Sequence, residues 1–135
     1  MKIEGGCHCG HITYRAEVDP ADVIICHCTD CQKLSGTAFR TVVFAAEKDF
    51  AFLGAPPKVY VKTAESGRQR EQTFCPECGA PIYSAPVGTE PRTLGIRLGT
   101  VNQRDELPPQ SQYWSRSAQA WLGDIPSMNI VSQQV

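Results

Sequence analysis

The sequence has little net charge, few aromatic residues and no long apolar run. Thirteen lysines and arginines oppose fourteen aspartates and glutamates, so the formal net charge of the 135-residue chain is -1. A nearly neutral chain has no overall field to attract nucleic acid or an anionic membrane surface. No apolar stretch approaches the length that a bilayer-spanning helix needs. These absences argue against a nucleic-acid-binding protein and against an integral membrane protein.

The chain also begins without the features of an exported protein. Residues 1–7 contain no apolar segment of the kind found in a secretory signal peptide. We therefore expect a cytoplasmic protein whose thiols stay reduced. Seven cysteines are present, and an odd number cannot all pair within one chain. Clustered cysteines in a reducing compartment are typical of metal ligands or catalytic groups.

The length and the turn residues predict one mainly β domain. A chain of this size supports one modest apolar core, so we expect a single domain over residues 1–135. Residues 11–18 alternate between apolar and polar side chains, as a strand with one buried face does. The rings of Trp114 and Trp121 are expected to cover the core. Further short strands are predicted at residues 23–25, 41–44, 50–53, 58–63, 69–74, 81–84 and 92–98.

One helical turn is predicted at residues 29–34. Thr29 or Asp30 could serve as its N-cap, since both side chains accept hydrogen bonds from backbone amides. Gly36 could adopt the left-handed conformation that ends a helix. The cysteine-rich segment before this turn would then lie between a strand end and a helix start.

Four of the cysteines form two close pairs. Cys75 and Cys78 lie in the sequence FCPECG, where two thiols separated by two residues can hold one metal ion and the following glycine permits a tight turn. We choose Cys7 and Cys9 as the second pair, because alternate residues of an extended segment point the same way. Four thiolates would form a closed structural zinc site.

Three cysteines remain after those four are assigned. Cys26, Cys28 and Cys31 lie within six residues, and the helical turn would bring the last two onto one face. Three protein ligands with a free fourth position are the general pattern of a catalytic zinc site. The sequence leaves open whether Cys9 or Cys26 belongs with the FCPECG pair, and a histidine could close the second site. The histidines are His27, His8 and His11.

An open site with three thiolates favours thiol chemistry. Three thiolates and one Zn²⁺ carry a formal charge of about -1, which weakens the acidification of water but suits a soft fourth ligand such as another thiolate. Zinc would hold a small thiol deprotonated near neutral pH, and the thiolate is the nucleophilic form. Such a thiolate could form or break a carbon–sulfur bond with a carbonyl compound.

Three cysteine motifs and two shorter segments occur in a fixed order. They are residues 6–14 (GCHCGHITY), 26–36 (CHCTDCQKLSG), 74–81 (FCPECGAP), 99–101 (GTV) and 117–126 (SAQAWLGDIP). Together they resemble the glutathione-dependent formaldehyde-activating enzyme (GFA) family, also called the GFA/CENP-V family.

This resemblance implies a mainly β, Mss4-like fold of small antiparallel sheets around zinc, with few short helical turns. It also implies a carbon–sulfur lyase like an S-(hydroxymethyl)glutathione synthase, which joins glutathione or a similar thiol to a small aldehyde. Two zinc ions are implied, one structural and one catalytic. The structural ion would be held by Cys7, Cys9, Cys75 and Cys78, and the catalytic ion by Cys26, Cys28 and Cys31.

Two positions depart from the family pattern. Gln112 stands where the family often has a histidine, and an amide cannot titrate as an imidazole can. Asn102 stands where an aspartate often follows Gly-Thr-Val. Both departures bear on whether formaldehyde is the substrate.

Two other functions are compatible with the cysteines. A zinc-stabilised binding module would hold both ions in closed sites and a partner in a groove beside residues 33–39. A redox switch would use Cys28 and Cys31 as a dithiol, but the sequence lacks a thioredoxin-like strand–helix pattern. The partners we expect are a small thiol and an aldehyde, without nucleic acid or membrane. The oligomeric state stays open, a homodimer included.

Overall fold

The computed structural model describes residues 1–89 and 91–134, and these form ten short strands and one α-helix. The mainly β class predicted from the sequence is confirmed. The elements are β1 (Lys2–Gly6), β2 (Thr13–Glu17), β3 (Val23–Cys26), α1 (Thr29–Ser35), β4 (Arg40–Ala46), β5 (Phe50–Phe52), β6 (Lys58–Thr63), β7 (Gln69–Phe74), β8 (Pro81–Pro86), β9 (Thr93–Arg97) and β10 (Ser111–Tyr113).

The first sheet has three antiparallel strands in the order β1-β2-β5. Its middle strand is the alternating segment of the sequence, and Tyr14 and Ala16 are buried while Thr13 and Arg15 are exposed. The predicted strand is thus confirmed with ends at residues 13 and 17. Strand β1 was not predicted, because its Glu-Gly-Gly end resembles a turn.

The second sheet has seven strands in the order β10-β3-β4-β9-β8-β7-β6. All described pairings are antiparallel except the one between β10 and β3, which is parallel. Strand β10 was also not predicted: it has three exposed residues and owes its conformation to pairing with β3. Tertiary contacts therefore determine this edge of the sheet.

In the described part of the chain, one apolar core joins one face of the large sheet to the small sheet. Tyr14 from β2 and Val43, Tyr83 and Ile96 from the large sheet belong to it. Because side chains alternate along a strand, the neighbours of these residues point to the opposite face. That second face carries polar groups: Cys26, Arg40, Gln72, Ser84 and Arg97.

Helix α1 begins at Thr29, as predicted, but its N-cap lies one residue before the predicted candidates. Its N-cap is Cys28, which has an extended backbone and whose Sγ accepts a hydrogen bond from the Cys31 amide at 3.2 Å. The expectation of Thr29 or Asp30 as N-cap was wrong, because the thiol occupies the place that a hydroxyl or carboxylate usually fills. Gly36 has φ 71° and ends the helix, as predicted.

The C-terminal part of the described chain consists mainly of short 3₁₀ turns at Ser115–Ser117 and Ala120–Ser127. Trp114 and Trp121 were expected to cover the core, but their side chains are 44% and 46% exposed. Both lie in this irregular segment outside the two sheets, so the expectation was wrong. Within the described residues, no helix combines the length and the apolarity needed to span a membrane.

Candidate metal centres

The first cysteine cluster lies where the two sheets meet. Cys7 and Cys9 follow β1, and Cys75 and Cys78 occupy the turn between β7 and β8. The Cys7 and Cys9 sulfurs are 3.6 Å apart, and those of Cys9 and Cys75 are 3.8 Å apart. All four sulfurs lie within 4.8 Å of one another. The structure thus brings Cys9, and not Cys26, to the FCPECG pair.

Local backbone geometry holds these four thiols together. The Ile12 amide donates to Cys7 Sγ at 3.2 Å, and the Glu77 amide donates to Cys75 Sγ at 3.4 Å. Gly10 and Gly79 have φ values of 83° and 79°, a conformation that glycine adopts without strain. A tetrahedron with metal–sulfur bonds of about 2.3 Å has edges of about 3.8 Å. The sulfur spacing therefore fits a four-thiolate zinc site.

The second cluster contains the three remaining cysteines. Cys26 ends β3, Cys28 caps α1, and Cys31 lies in the first helical turn. Their sulfurs lie within 4.8 Å of one another, and in residues 1–89 and 91–134 no histidine, aspartate, glutamate or fourth cysteine completes the group. Hydrogen bonding to Cys26 and burial raise the pKa of Cys31, and burial raises the pKa of Cys28. Three thiols this close need a cation if all are to ionise together.

His27 lies between two of these cysteines in sequence but points elsewhere. Its side chain is buried, its Nε2 lies 2.8 Å from Gln112 Oε1, and its ring packs edge-on against Phe39. His8 and His11 are exposed and join neither cluster. The alternative in which a histidine closes the second site has no support in this geometry.

A small cavity of about 210 Å³ opens beside the three-cysteine cluster; we call it the inner cavity. The three cysteines line one side of it. The polar face of the large sheet lines the other, and Trp114 lies at its edge. The sheet contributes Arg40, Arg70, Gln72, Ser84, Gly95 and Arg97.

The inner cavity is strongly basic on its sheet side. Arg40 and Arg97 are 6% and 7% exposed, and both donate to Gln72 Oε1, at 3.2 and 2.8 Å. Burial, and secondarily the charge of Arg40, lowers the pKa of Arg97 to about 9, so this guanidinium is still charged at neutral pH. Arg70 lies 3.4 Å from Ser84 Oγ. Positive charge therefore faces the cysteine sulfurs across the cavity.

The chain is similar to a protein family and to a solved structure. The model of the family described as glutathione-dependent formaldehyde-activating enzyme (GFA) matches residues 2–117. The chain belongs to this family. The fold is also similar to the crystal structure of a Rhodobacter sphaeroides protein, a Northeast Structural Genomics target, with a TM-score of 0.60 and 20% identity over 81% of this chain and 98% of that chain. No curated protein matches the sequence significantly.

Two departures from the GFA pattern occupy different places in the structure. Gln112 lies on β10, and its Oε1 accepts a hydrogen bond from the His27 ring at Nε2, on the side of β3 away from the cysteine sulfurs. Asn102 is exposed, and its amide donates to the Glu4 carbonyl at 2.8 Å, next to the small sheet. Neither side chain lines the inner cavity.

Sequence reasoning did not identify the basic wall of the inner cavity. From the sequence, Arg40, Arg68, Arg70, Arg92 and Arg97 could each pair with a carboxylate of glutathione, but no signal separates the three that line the cavity from the other two. The only hint is the alternation of side chains along β4 and β9. Arg40 and Arg97 lie at strand ends, two residues from small or apolar residues of the same face. That pattern predicts their face only once strand register is known.

Proposed function

We propose that this GFA-family chain is a zinc-dependent carbon–sulfur lyase, similar to S-(hydroxymethyl)glutathione synthase. It would join glutathione or a similar thiol to a small aldehyde and reverse the reaction. The observation that carries the proposal is the three-cysteine cluster beside a cavity, with no fourth protein ligand among the described residues. Family membership supports a glutathione-dependent reaction.

Cys7, Cys9, Cys75 and Cys78 would hold the structural ion. They join the loop after β1 to the turn between β7 and β8, so one ion would connect the small sheet to the large one. Four thiolates leave no position for a substrate. This site would stabilise the fold and take no part in the reaction.

Cys26, Cys28 and Cys31 would hold the catalytic ion, which when bound supplies a position for the cosubstrate thiol and favours its thiolate form. The thiolate sulfur attacks the aldehyde carbon, and a carbon–sulfur bond forms. The carbonyl electron pair moves to oxygen, which takes up a proton to give a hydroxyl group. The thiol thus loses one proton from sulfur and the adduct gains one proton on oxygen. No oxidant or reductant is needed.

The basic wall would assist this addition. Negative charge develops on the aldehyde oxygen as the bond forms, and preorganised donors at that oxygen lower the barrier. Arg40 and Arg97 are held by Gln72 and so need little reorganisation. Ser84 adds a hydroxyl to the same wall.

The decisive experiment compares the wild type with Cys28→Ser. We expect the variant to keep its fold, lose one of two zinc ions and lose at least about 100-fold in catalysed adduct formation, since removing a principal electrostatic contribution costs on this order. Exchange NMR with glutathione and formaldehyde, or another small aldehyde, measures the rate above the uncatalysed reaction. Full activity in Cys28→Ser would rule out the mechanism. Two ions that stay bound in the presence of excess glutathione, with no catalysis, would favour the binding module.

A further inference from the structure

The inner cavity contains more positive charge than the cysteine site can balance. Three thiolates and a divalent cation leave a formal charge of about -1. Arg40, Arg70 and Arg97 together carry three positive charges, and none of them pairs with a carboxylate in the described ranges. The neighbouring Lys62 is already paired with Asp30 at 2.9 Å. Two positive charges therefore remain without a counter-charge.

The hydrogen bonds of these arginines are also incomplete. Arg40 and Arg97 share one neutral acceptor, Gln72 Oε1, and the Nε atoms of both are buried without a partner in the described structure. Buried guanidinium groups are normally satisfied by carboxylates or phosphates, often through two parallel hydrogen bonds. The arginines of the inner cavity therefore offer hydrogen-bond donors that suit a carboxylate or another oxyanion.

A second depression adjoins the inner cavity and shares Cys28, Lys62 and Trp114 with it. It has a volume of about 470 Å³ and is lined further by residues such as Glu65 and Arg116; we call it the outer groove. Cys28 thus borders both spaces. The outer groove has the size of pockets for larger ligands, while the inner cavity of about 210 Å³ is below the roughly 300 Å³ at which such pockets begin.

We propose that the inner cavity binds the carboxylate of the carbonyl substrate, which makes that substrate a short oxo acid such as glyoxylate. This inference rests on the proposed function. A tripeptide thiol is too large for the inner cavity and would lie in the outer groove, with its sulfur at the cysteine cluster. The group nearest the arginines is then the one attached to the carbonyl carbon. The carboxylate keeps its charge throughout, while the adjacent carbonyl carbon accepts the thiolate and its oxygen is protonated.

Gln72→Glu provides a direct test. The change is nearly isosteric and adds the protein's own carboxylate between Arg40 and Arg97. We expect it to leave zinc content unchanged and to weaken glyoxylate binding at least about tenfold, because a resident anion occupies the same donors. Binding is measured on the zinc-loaded protein by calorimetry and by Trp114 fluorescence in a Trp121→Phe background. Unchanged glyoxylate affinity in Gln72→Glu would overturn the proposal.

Arg70→Gln is the second variant, since Arg70 is less buried than the other two arginines. Its matched control is Arg68→Gln, which makes the same charge change at an exposed residue outside the cavity. We expect about a tenfold loss of glyoxylate affinity in the first and less than about twofold in the second. Equal losses in both variants would reduce the effect to long-range charge and contradict a site.

Two further tests vary the ligand instead of the protein. Glycolaldehyde is close to glyoxylate in size but uncharged, and we expect it to bind at least about tenfold more weakly. Equal binding would overturn the proposal. If Gln72→Glu instead weakens glutathione but not glyoxylate, the arginines serve a carboxylate of the thiol, and the oxo-acid assignment fails. These binding measurements are independent of the reaction rate of Cys28→Ser. If Cys28→Ser loses turnover but the wild type shows no preference for glyoxylate, the proposed lyase function stands and only the oxo-acid substrate is refuted.

Discussion

Gly95 keeps the floor of the inner cavity open. A Cβ atom at this position would lie 3.1 Å from Val42 Cγ1 and 3.4 Å from Ser84 Oγ. The contact with Val42 is tighter than an ordinary van der Waals distance and the one with Ser84 is at its lower limit, so an added methyl group would narrow the cavity beside Ser84. A single missing side chain thus contributes to the volume available beside the cysteines.

We predict that Gly95→Ala lowers kcat/KM several-fold while zinc content is unchanged. The free energy of unfolding should change by less than about 1 kcal/mol. Alanine gives the unfolded chain less backbone entropy than glycine does, and this gain in stability offsets the tight contact in the folded state. Gly99→Ala is the matched control, since its Cβ would meet nothing within 4 Å. Equal activity of the two variants would show that this part of the cavity is not used.

Other features at the residue scale were only partly predictable. The left-handed Gly36 followed from its position after a polar helical turn, because glycine has no steric cost there. The left-handed conformation of Trp114, with φ 59°, could not be predicted from the sequence, because bulky residues rarely adopt positive φ. Trp114 is the only non-glycine residue with positive φ in the described chain. A bulky residue in this conformation is held by its surroundings. Here the ring packs under Arg116, whose Cζ is 4.8 Å from the ring centroid.

At the scale of elements, Arg92 joins several parts of the two sheets. Its guanidinium donates to Glu47 at 2.6 and 2.9 Å, to Glu71 at 3.1 Å and to the Pro86 carbonyl at 2.9 Å. Glu47 lies in the 3₁₀ turn between β4 and β5, while Glu71 lies on β7. Hydrogen bonding to Arg92 lowers the pKa of Glu47 below its ordinary value of 4.5.

This pair should make stability depend on pH on the acid side. A lowered pKa in the folded state means that the pair stabilises fully above the unfolded pKa of 4.5 and that this contribution is lost as pH falls through the lower folded value. We predict that Glu47→Gln costs about 1 kcal/mol at pH 7, reduced by partial exposure of the carboxylate. The difference from the wild type should shrink as the pH falls below 4.5.

Urea unfolding of both proteins between pH 7 and pH 3.5 measures this difference, and effects common to both chains cancel. Glu65→Gln is the control, because Glu65 and Arg116 form a pair of similar length whose side chains are 70% and 67% exposed. It should change stability by less than about 0.5 kcal/mol. A gap between wild type and Glu47→Gln that stays constant with pH would contradict the assigned role of Arg92.

At the scale of the whole molecule, the four-cysteine cluster joins the loop after β1 to the turn between β7 and β8, and none of its residues lines the inner cavity. We predict that Cys78→Ser loses one zinc ion and at least about 5 kcal/mol of stability, a fraction of what zinc contributes in small zinc-folded domains. Cys28→Ser should lose the other ion and keep a melting temperature within a few degrees of the wild type. Zinc analysis and calorimetry decide: if the two variants lose the same ion, the two-site grouping is wrong.

The seven-stranded sheet explains why one site was predictable and its surroundings were not. Cysteines two or three residues apart can reach one ion through local backbone geometry, so the sequence alone predicted each local group of cysteines but left open which groups share an ion. The other wall comes from β4, β7, β8 and β9, which are separated by many residues along the chain. Nothing local indicates that Arg40 and Arg97 share one acceptor on Gln72.

The sequence by itself determined the mainly β class, most strand positions, the short helix and the identity of the seven thiols, because alternation, turn residues and cysteine spacing act over a few residues. Only the tertiary structure decided which cysteine pairs meet, that His27 turns to Gln112, and that three arginines face one cavity. Each of these contacts joins segments far apart along the chain. For the arginines, strand register decides the face, and a shift of one residue would turn every side chain of a strand to the other face.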